Sequence, residues 1–269
     1  MHPGPVGIFD SGLGGLSVWR EVRKLLPHEP LIYYADSARC PYGPRPAAEI
    51  RQFSGEITRW LLDRGCKLIV VACNTATAAA ISWLREQFEV EFVGMEPAVK
   101  PAAAHTRTGH IGILATRGTF GGAHFQRAVE RFAAGVEVHV QPGDGLVELV
   151  EQGRLDGPET EALLRRYLEP MLGAGCDQIV LGCTHYPFLL PAIRRIAGPE
   201  VQLIDPAPAV ARRVRELLHA RGLEAPADAG PLLEAFTSGD PASFASVLSR
   251  AELAGLRTGY AQVAGFAAN

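Results

Sequence analysis

The chain has 269 residues, 47% of them hydrophobic and 20% charged, which is enough apolar material for one large core or two medium ones. Disorder is therefore not expected, and no stretch approaches the ~18 uninterrupted apolar residues of a membrane helix. A net charge of −3 supplies no basic footprint, so nucleic acid and membrane are both excluded as expected partners.

Taken in chain order, short apolar runs predict strands at 6–9, 31–35, 68–72, 90–94, 111–115, 136–140, 178–182 and 201–204. Helical periodicity lies between them. Over 46–64 it places Ile50, Phe53, Ile57, Trp60 and Leu61 on one face before Gly65. Over 158–173 it does the same with Leu164, Tyr167, Leu168 and Met171 before Gly173 and Gly175. Alternating strands and helices predict an α/β fold with parallel sheets covered on both faces.

The chain also resembles itself at an offset of about 105–110 residues. Gly4–Ser11 aligns with Gly109–Thr116, and Gly65–Cys73 aligns with Gly175–Cys183. A third pair is Glu96-Pro-Ala98 against Asp205-Pro-Ala207. Three matches in the same order predict two pseudo-symmetric, mostly parallel-sheet α/β domains facing each other across a central cleft. Residues 208–269 have no counterpart in the repeat; they open with a helical pattern at Val210, Val214, Leu217 and Leu218 and are expected to return to the first unit. The expected domains are thus 1–98 plus 208–269, carrying Asp10 and Cys73, and 99–207, carrying Cys183 and His185.

The five cysteines are Cys40, Cys66, Cys73, Cys176 and Cys183. An odd count, and a start without a basic segment, apolar run and cleavage site, predict reduced thiols and a cytoplasmic location. No Cys-x-x-Cys spacing occurs, and Cys183-Thr184-His185 is short of the three or four ligands of a zinc site, so no metal is expected. Lysine occurs only at 24, 67 and 100, none in a segment that reads as a Schiff-base site. Cys66 and Cys176, ahead of their strands, read as small buried hydrophobes, and Cys40 reads as incidental to the chemistry.

Cys73 and Cys183 occupy matching repeat positions at strand ends, where ligands of open parallel sheets bind. Two thiols presented to one cleft from opposite sides suit removal of a proton on one face and return of one on the other. Both precede helical patterns, so helix N-termini would favour thiolates there. Asn74, Thr75 and Thr184 would be first-turn residues able to bind a carboxylate. Asp10 and His185 differ between the repeats, so each is available to serve one thiol. A competing pattern is Gly12-Leu-Gly-Gly15 after a strand, with Asp36 about 20 residues on, which superficially matches a dinucleotide fingerprint. Ser17 at the third glycine position and the Asp10 carboxylate facing the would-be pyrophosphate argue against it.

Four blocks carry a family resemblance: Phe9-Asp-Ser-Gly-Leu-Gly-Gly15, Ala35-Asp36 with Pro41-Tyr-Gly43, Ala72-Cys-Asn-Thr-Ala-Thr-Ala78, and Gly182-Cys-Thr-His-Tyr-Pro187. Weaker agreement at 114–119, 149–153 and 236–240 extends it over nearly the whole chain. The chain resembles the glutamate racemases of the cofactor-independent aspartate/glutamate racemase superfamily. The resemblance implies interconversion of L- and D-glutamate for peptidoglycan synthesis, with no metal, pyridoxal phosphate or nucleotide, commonly by a homodimer. It implies that Cys73 takes the α-proton of D-glutamate and Cys183 that of L-glutamate, with Asp10 and His185 supporting them. The implied substrate contacts are Ser11, Tyr42, Gly43, Asn74, Thr75 and Thr184, then Thr116, Thr119 and Glu151. Departures from the family pattern stand at Phe120, Gly122, Phe125 and Pro206. Aspartate or hydantoin racemisation, an amino-acid binder without catalysis, and a thiol metal or redox protein are the competing readings.

Overall fold

The computed structural model describes residues 4–96, 98–227, 232–250 and 257–260, and all its strand pairings are parallel. Each expected strand forms, with ends shifted by a residue or two: β1 (Val6–Asp10), β2 (Leu31–Ala35), β3 (Leu68–Val71) and β4 (Glu91–Gly94), then β5 (His110–Ala115), β6 (Glu137–Pro142), β7 (Gln178–Gly182) and β8 (Gln202–Ile204). Two further strands, β9 (Leu233–Thr237) and β10 (Arg257–Tyr260), follow. They lack a continuous apolar run; β9 alternates buried and half-buried residues, the pattern of a strand covered mainly on one face.

The first sheet has the order β10-β9-β2-β1-β3-β4 and the second β6-β5-β7-β8. Numbered within each repeat, the four shared strands run second, first, third, fourth in both sheets, so the sequence repeat is also a repeat of topology. Beyond the second sheet, helix α10 (Ala207–Arg221) packs on α1 (Leu16–Leu25), and β9 pairs with β2 through Leu31↔Leu233 to Ala35↔Thr237. Helix α10 and strand β9 therefore add to the first sheet and its covering layer. Pro97, the centre of the third repeat match, and residues 228–231 lie outside the described residues.

Alternation along the strands builds four cores. In the first sheet Ile8, Tyr33 and Val70 face α1 and α10, while Phe9, Tyr34 and Val71 face α2 (Ala47–Leu62) and α3 (Asn74–Gln87). In the second sheet Ile111, Ile113 and Val180 pack towards α4 (Val99–His105) and α6 (Ala123–Phe132). Leu114, Ile179 and Leu181 pack towards α7 (Leu146–Glu151), α8 (Pro158–Gly173) and α9 (Leu190–Ala197). Both faces of the central strands β1, β2, β3, β5 and β7 are thus covered, which is why those strands read as continuous apolar runs. Cys66 and Cys176 are buried members of these cores, consistent with their reading as small hydrophobes. Two family departures, Phe120 at the end of α5 (Arg117–Phe120) and Phe125 in α6, meet edge to face at 5.2 Å. Among the described residues no helix is long and apolar enough to cross a membrane.

Candidate active site

In each sheet the connection changes direction between the first and third strands of the repeat, the position where a parallel sheet opens a crevice at its carboxyl edge. Ser11 follows β1 and Cys73 follows β3; Thr116 follows β5 and Cys183 follows β7. These four, with Pro41, Tyr42, Gly43, Asn74, Thr75, Val147, Thr184 and His185, line a single small space.

Cys73 is the N-cap of α3, its sulfur accepting the Ala76 N–H at 3.4 Å and standing 3.8 Å from Ser11 Oγ. Burial pushes the Cys73 thiol far above its ordinary value, and the Asp10 charge pushes the same way against the Ala76 hydrogen bond. Cys183 differs. Its sulfur lies 3.7 Å from His185 Nδ1, and His185 Nε2 meets Glu151 Oε1 at 2.6 Å. Burial opposes a charged His185, yet contacts with Cys183, Cys40 and Glu151 outweigh it and hold the imidazole well above its ordinary range. The Leu13 N–H donates to the same Glu151 oxygen at 2.6 Å.

Asp10 is fully buried, and burial raises its carboxyl although the nearby His185 and the Gly12 N–H lower it. Gly12 N–H donates to Oδ2 at 2.9 Å and Thr184 Oγ1 donates to Oδ1 at 3.2 Å. The Asp10 carboxylate therefore reaches across to the loop that carries Cys183. Asn74 Nδ2 is buried and has no hydrogen-bond partner among the described residues, which leaves an amide donor available in the lining. The hydroxyls of Thr75, Thr116 and Thr119 form a chain with steps of 2.8 and 3.0 Å.

Several expectations change. The helix-start argument holds for Cys73 but not for Cys183: Thr184 and His185 lie in a turn, a short 3₁₀ segment Tyr186–Leu189 follows, and α9 begins only at Leu190. Thr184 is thus not a first-turn residue, because Pro187 and Pro191 carry no N–H to sustain an α-helix from Cys183 onwards. The cation beside Cys183 is the His185 side chain, not a helix end. Glu151 is held behind His185 and Thr119 behind Thr116, and neither lines the cleft. Tyr42 turns its hydroxyl away to Asp36, which Arg39 Nε and Ser238 Oγ also bind, so this residue borders the cleft with its other atoms.

Cys40, read as incidental, stands with Glu151 and His185, their ligating atoms all within 4.8 Å. Burial raises its thiol to about 11, which makes it a neutral hydrogen-bonding neighbour of His185. Its position directly before Pro41-Tyr-Gly43 was the available signal. The glycines of the decoy fingerprint also have a different purpose. A Cβ on Gly12 would stand 2.1 Å from Glu151 Oε1 and one on Gly14 would stand 2.3 Å from His185 Nδ1, so these positions admit the His185–Glu151 pair rather than a phosphate.

Two thiols, one 3.7 Å from the His185 ring and one in the field of the buried Asp10, thus stand at matching ends of two parallel sheets and line one small space. Comparison with known proteins gives the family. The Asp/Glu/Hydantoin racemase family profile matches residues 16–214. A glutamate racemase of Herpetosiphon aurantiacus is 53% identical over 247 residues, covering 92% of this chain and 97% of that protein. Among solved structures, glutamate racemase isoform RacE1 of Bacillus anthracis superposes with a TM-score of 0.89 at 31% identity, covering 98% of this chain and 99% of that one. The Escherichia coli glutamate racemase, crystallised with L-glutamate and the activator UDP-MurNAc-Ala, gives 0.85 at 35% identity over 98% of this chain and 100% of that one. The chain belongs to the Asp/Glu/hydantoin racemase family, and it is an isomerase.

Proposed function

We propose that the protein interconverts L- and D-glutamate, using its own two thiols as the acid and the base and no cofactor. The observation that carries this reading is that Cys73 and Cys183 stand at equivalent strand ends of the two sheets and line one small space. His185 Nδ1 stands 3.7 Å from the Cys183 sulfur, within reach of its proton, while burial holds Cys73 as a neutral thiol. On L-glutamate, Cys183 is the base and Cys73 the acid. The Cys183 sulfur takes the α-proton, the Cys73 S–H delivers its proton to the opposite face, and the thiols end with their protonation exchanged. The same steps in reverse act on D-glutamate.

Asp10 supports Cys73, and His185, oriented by Glu151, supports Cys183. Ser11, Asn74, Thr75, Thr184, Thr116 and the Tyr42–Gly43 segment supply donors for the substrate, with Asn74 Nδ2 directed at the α-carboxylate where negative charge develops. The reading includes two domains, 1–98 with 208–269 and 99–207, meeting at the cleft. It also includes a cytoplasmic setting, a homodimer, and supply of D-glutamate for peptidoglycan. The three relatives described above, each named a glutamate racemase, support glutamate over aspartate.

The test is incubation of reduced, chelator-treated protein with L-glutamate in D₂O, following optical rotation and α-hydrogen loss together. Inversion with deuterium in the D-product is expected. Racemisation of aspartate but not glutamate would move the substrate assignment, and no exchange with either acid would remove the catalytic reading. In Cys73→Ser, α-proton exchange from L-glutamate should survive better than exchange from D-glutamate; equal loss in both would overturn the assignment of one thiol to each enantiomer.

A further inference from the structure

At the other end of the second sheet, His110, Glu137 and His139 bring three ligating side chains together outside the cleft. His110 opens β5 and Glu137 opens β6, directly paired in the parallel register, while His139 stands two residues further along β6. Side chains at these positions share one face of the sheet. Gly112, which pairs with His139, adds no side chain to that face.

The distances are those of a coordination shell. His110 Nδ1 lies 3.2 Å from His139 Nε2; Glu137 offers Oε2 to His110 Nδ1 at 3.5 Å and Oε1 to His139 Nε2 at 3.4 Å. Ligands ~2.0–2.1 Å from a tetrahedral Zn²⁺ stand roughly 3.3 Å from one another. The side chains are 35%, 66% and 24% exposed for His110, Glu137 and His139, so an ion can enter from solvent and keep water in its remaining positions. β6 is the outer strand of its sheet, and the three ligands come from its two outermost strands.

We propose that His110, Glu137 and His139 form a binding site for one borderline divalent cation of the Zn²⁺ type, which clamps β6 to β5. Two imidazoles and one carboxylate suit Zn²⁺, Co²⁺ or Ni²⁺ and not Mg²⁺ or Ca²⁺, which take oxygen ligands. The site begins β5 five residues before Ala115, roughly 16 Å along the strand at ~3.3 Å per residue. It is therefore separate from the Cys40, Glu151 and His185 group, the other set of three ligating atoms among the described residues. The spacing Glu137-x-His139 carried no signal in the sequence, because the third ligand arrives from the neighbouring strand.

The test is Co²⁺ titration of the full chain by visible absorption, with Zn²⁺ competition, in wild type, His110→Ala and His139→Ala. One Co²⁺ per chain is expected, with no thiolate-to-cobalt charge-transfer band and with affinity falling at least about 100-fold in either variant. Zn²⁺ should raise the melting temperature of wild type but not of the variants, whose metal-free isomerase activity stays at the wild-type level. Equal affinity in the variants, no binding, or a thiolate band that Cys40→Ser removes would each overturn the proposal; the last would assign the ion to the cleft. None of these outcomes depends on which amino acid the protein racemises.

Discussion

A methyl group on Gly14 would meet His185 Nδ1 at 2.3 Å and Thr184 Oγ1 at 2.6 Å, so Gly14→Ala must displace the imidazole that backs Cys183. Activity should fall about 100-fold, the scale of a misplacement near 1 Å, in a protein that still folds; steady-state kinetics with a melting curve checks both. Asp10→Asn should separate function from stability. Burial raises the Asp10 carboxyl above its ordinary 3.8, so the fold favours its protonated form and ionisation costs stability as pH rises through that interval. The variant is therefore expected to match wild type at acid pH, where the carboxyl is protonated folded or unfolded, and to become relatively more stable as pH rises, while turnover drops ~10²–10⁴-fold. Denaturant midpoints across that range, read beside activity, decide it; a variant less stable at neutral pH than wild type would contradict the burial argument. For His185, also raised above its 6.5, the stabilising contribution is full below that value and is lost as pH climbs through the folded one. Legibility at this scale was uneven. Cys73, Cys183, Asp10 and His185 were visible because a repeat and a local motif mark them, whereas Cys40 joins His185 from more than 100 residues away and Glu151 retreats behind His185 from a separate helix 34 residues earlier.

Lys67, just before β3, makes a buried ion pair with Glu29, just before β2, at 2.7 Å. The ammonium also donates to Leu223 O at 2.6 Å, and Glu29 accepts the Ala225 N–H at 2.5 Å, so the pair fastens the chain leaving α10 to the base of the first sheet. Lys67→Met leaves a buried carboxylate without its partner and should cost ~3–5 kcal/mol; adding Glu29→Gln should recover part of it. Urea melts of the single and double variants measure the difference. Element identity was readable wherever a strand is covered on both faces or a helix keeps its period, as in α8, whose bounds coincide with the expected 158–173. It was not readable for β9, where Glu234 interrupts the apolar residues, nor for the turn after Cys183, where two prolines replace the helix the pattern promised.

At the level of the molecule, Phe188 packs against a core of each sheet, the α1–α10 side of the first and the α7–α9 side of the second. All three tryptophans lie at positions 19, 60 and 83, so their fluorescence reports the first sheet, whereas circular dichroism reports both. Phe188→Ala removes a partly buried ring and should cost ~2 kcal/mol, less than the ~3–5 of a fully buried one. With that coupling weakened, fluorescence and circular-dichroism transitions that coincide in wild type are expected to separate. Transitions that stay superimposed would mean that the remaining contacts, such as Thr75 with Thr116 and Asp10 with Thr184, suffice to couple the two sheets.

The sequence by itself determined the parallel α/β class, the eight core strands, the repeat and the two thiols, because each follows from local pattern: buried strands must be apolar, and a duplicated unit repeats its strand ends. Tertiary structure alone decided that Glu151 holds His185 from behind, that Cys40 joins them, that Gly12 and Gly14 make room for that pair, and that β5 and β6 bring His110, Glu137 and His139 together. Those features depend on distances between segments far apart in the chain, and on burial that sets charge. No local pattern encodes either.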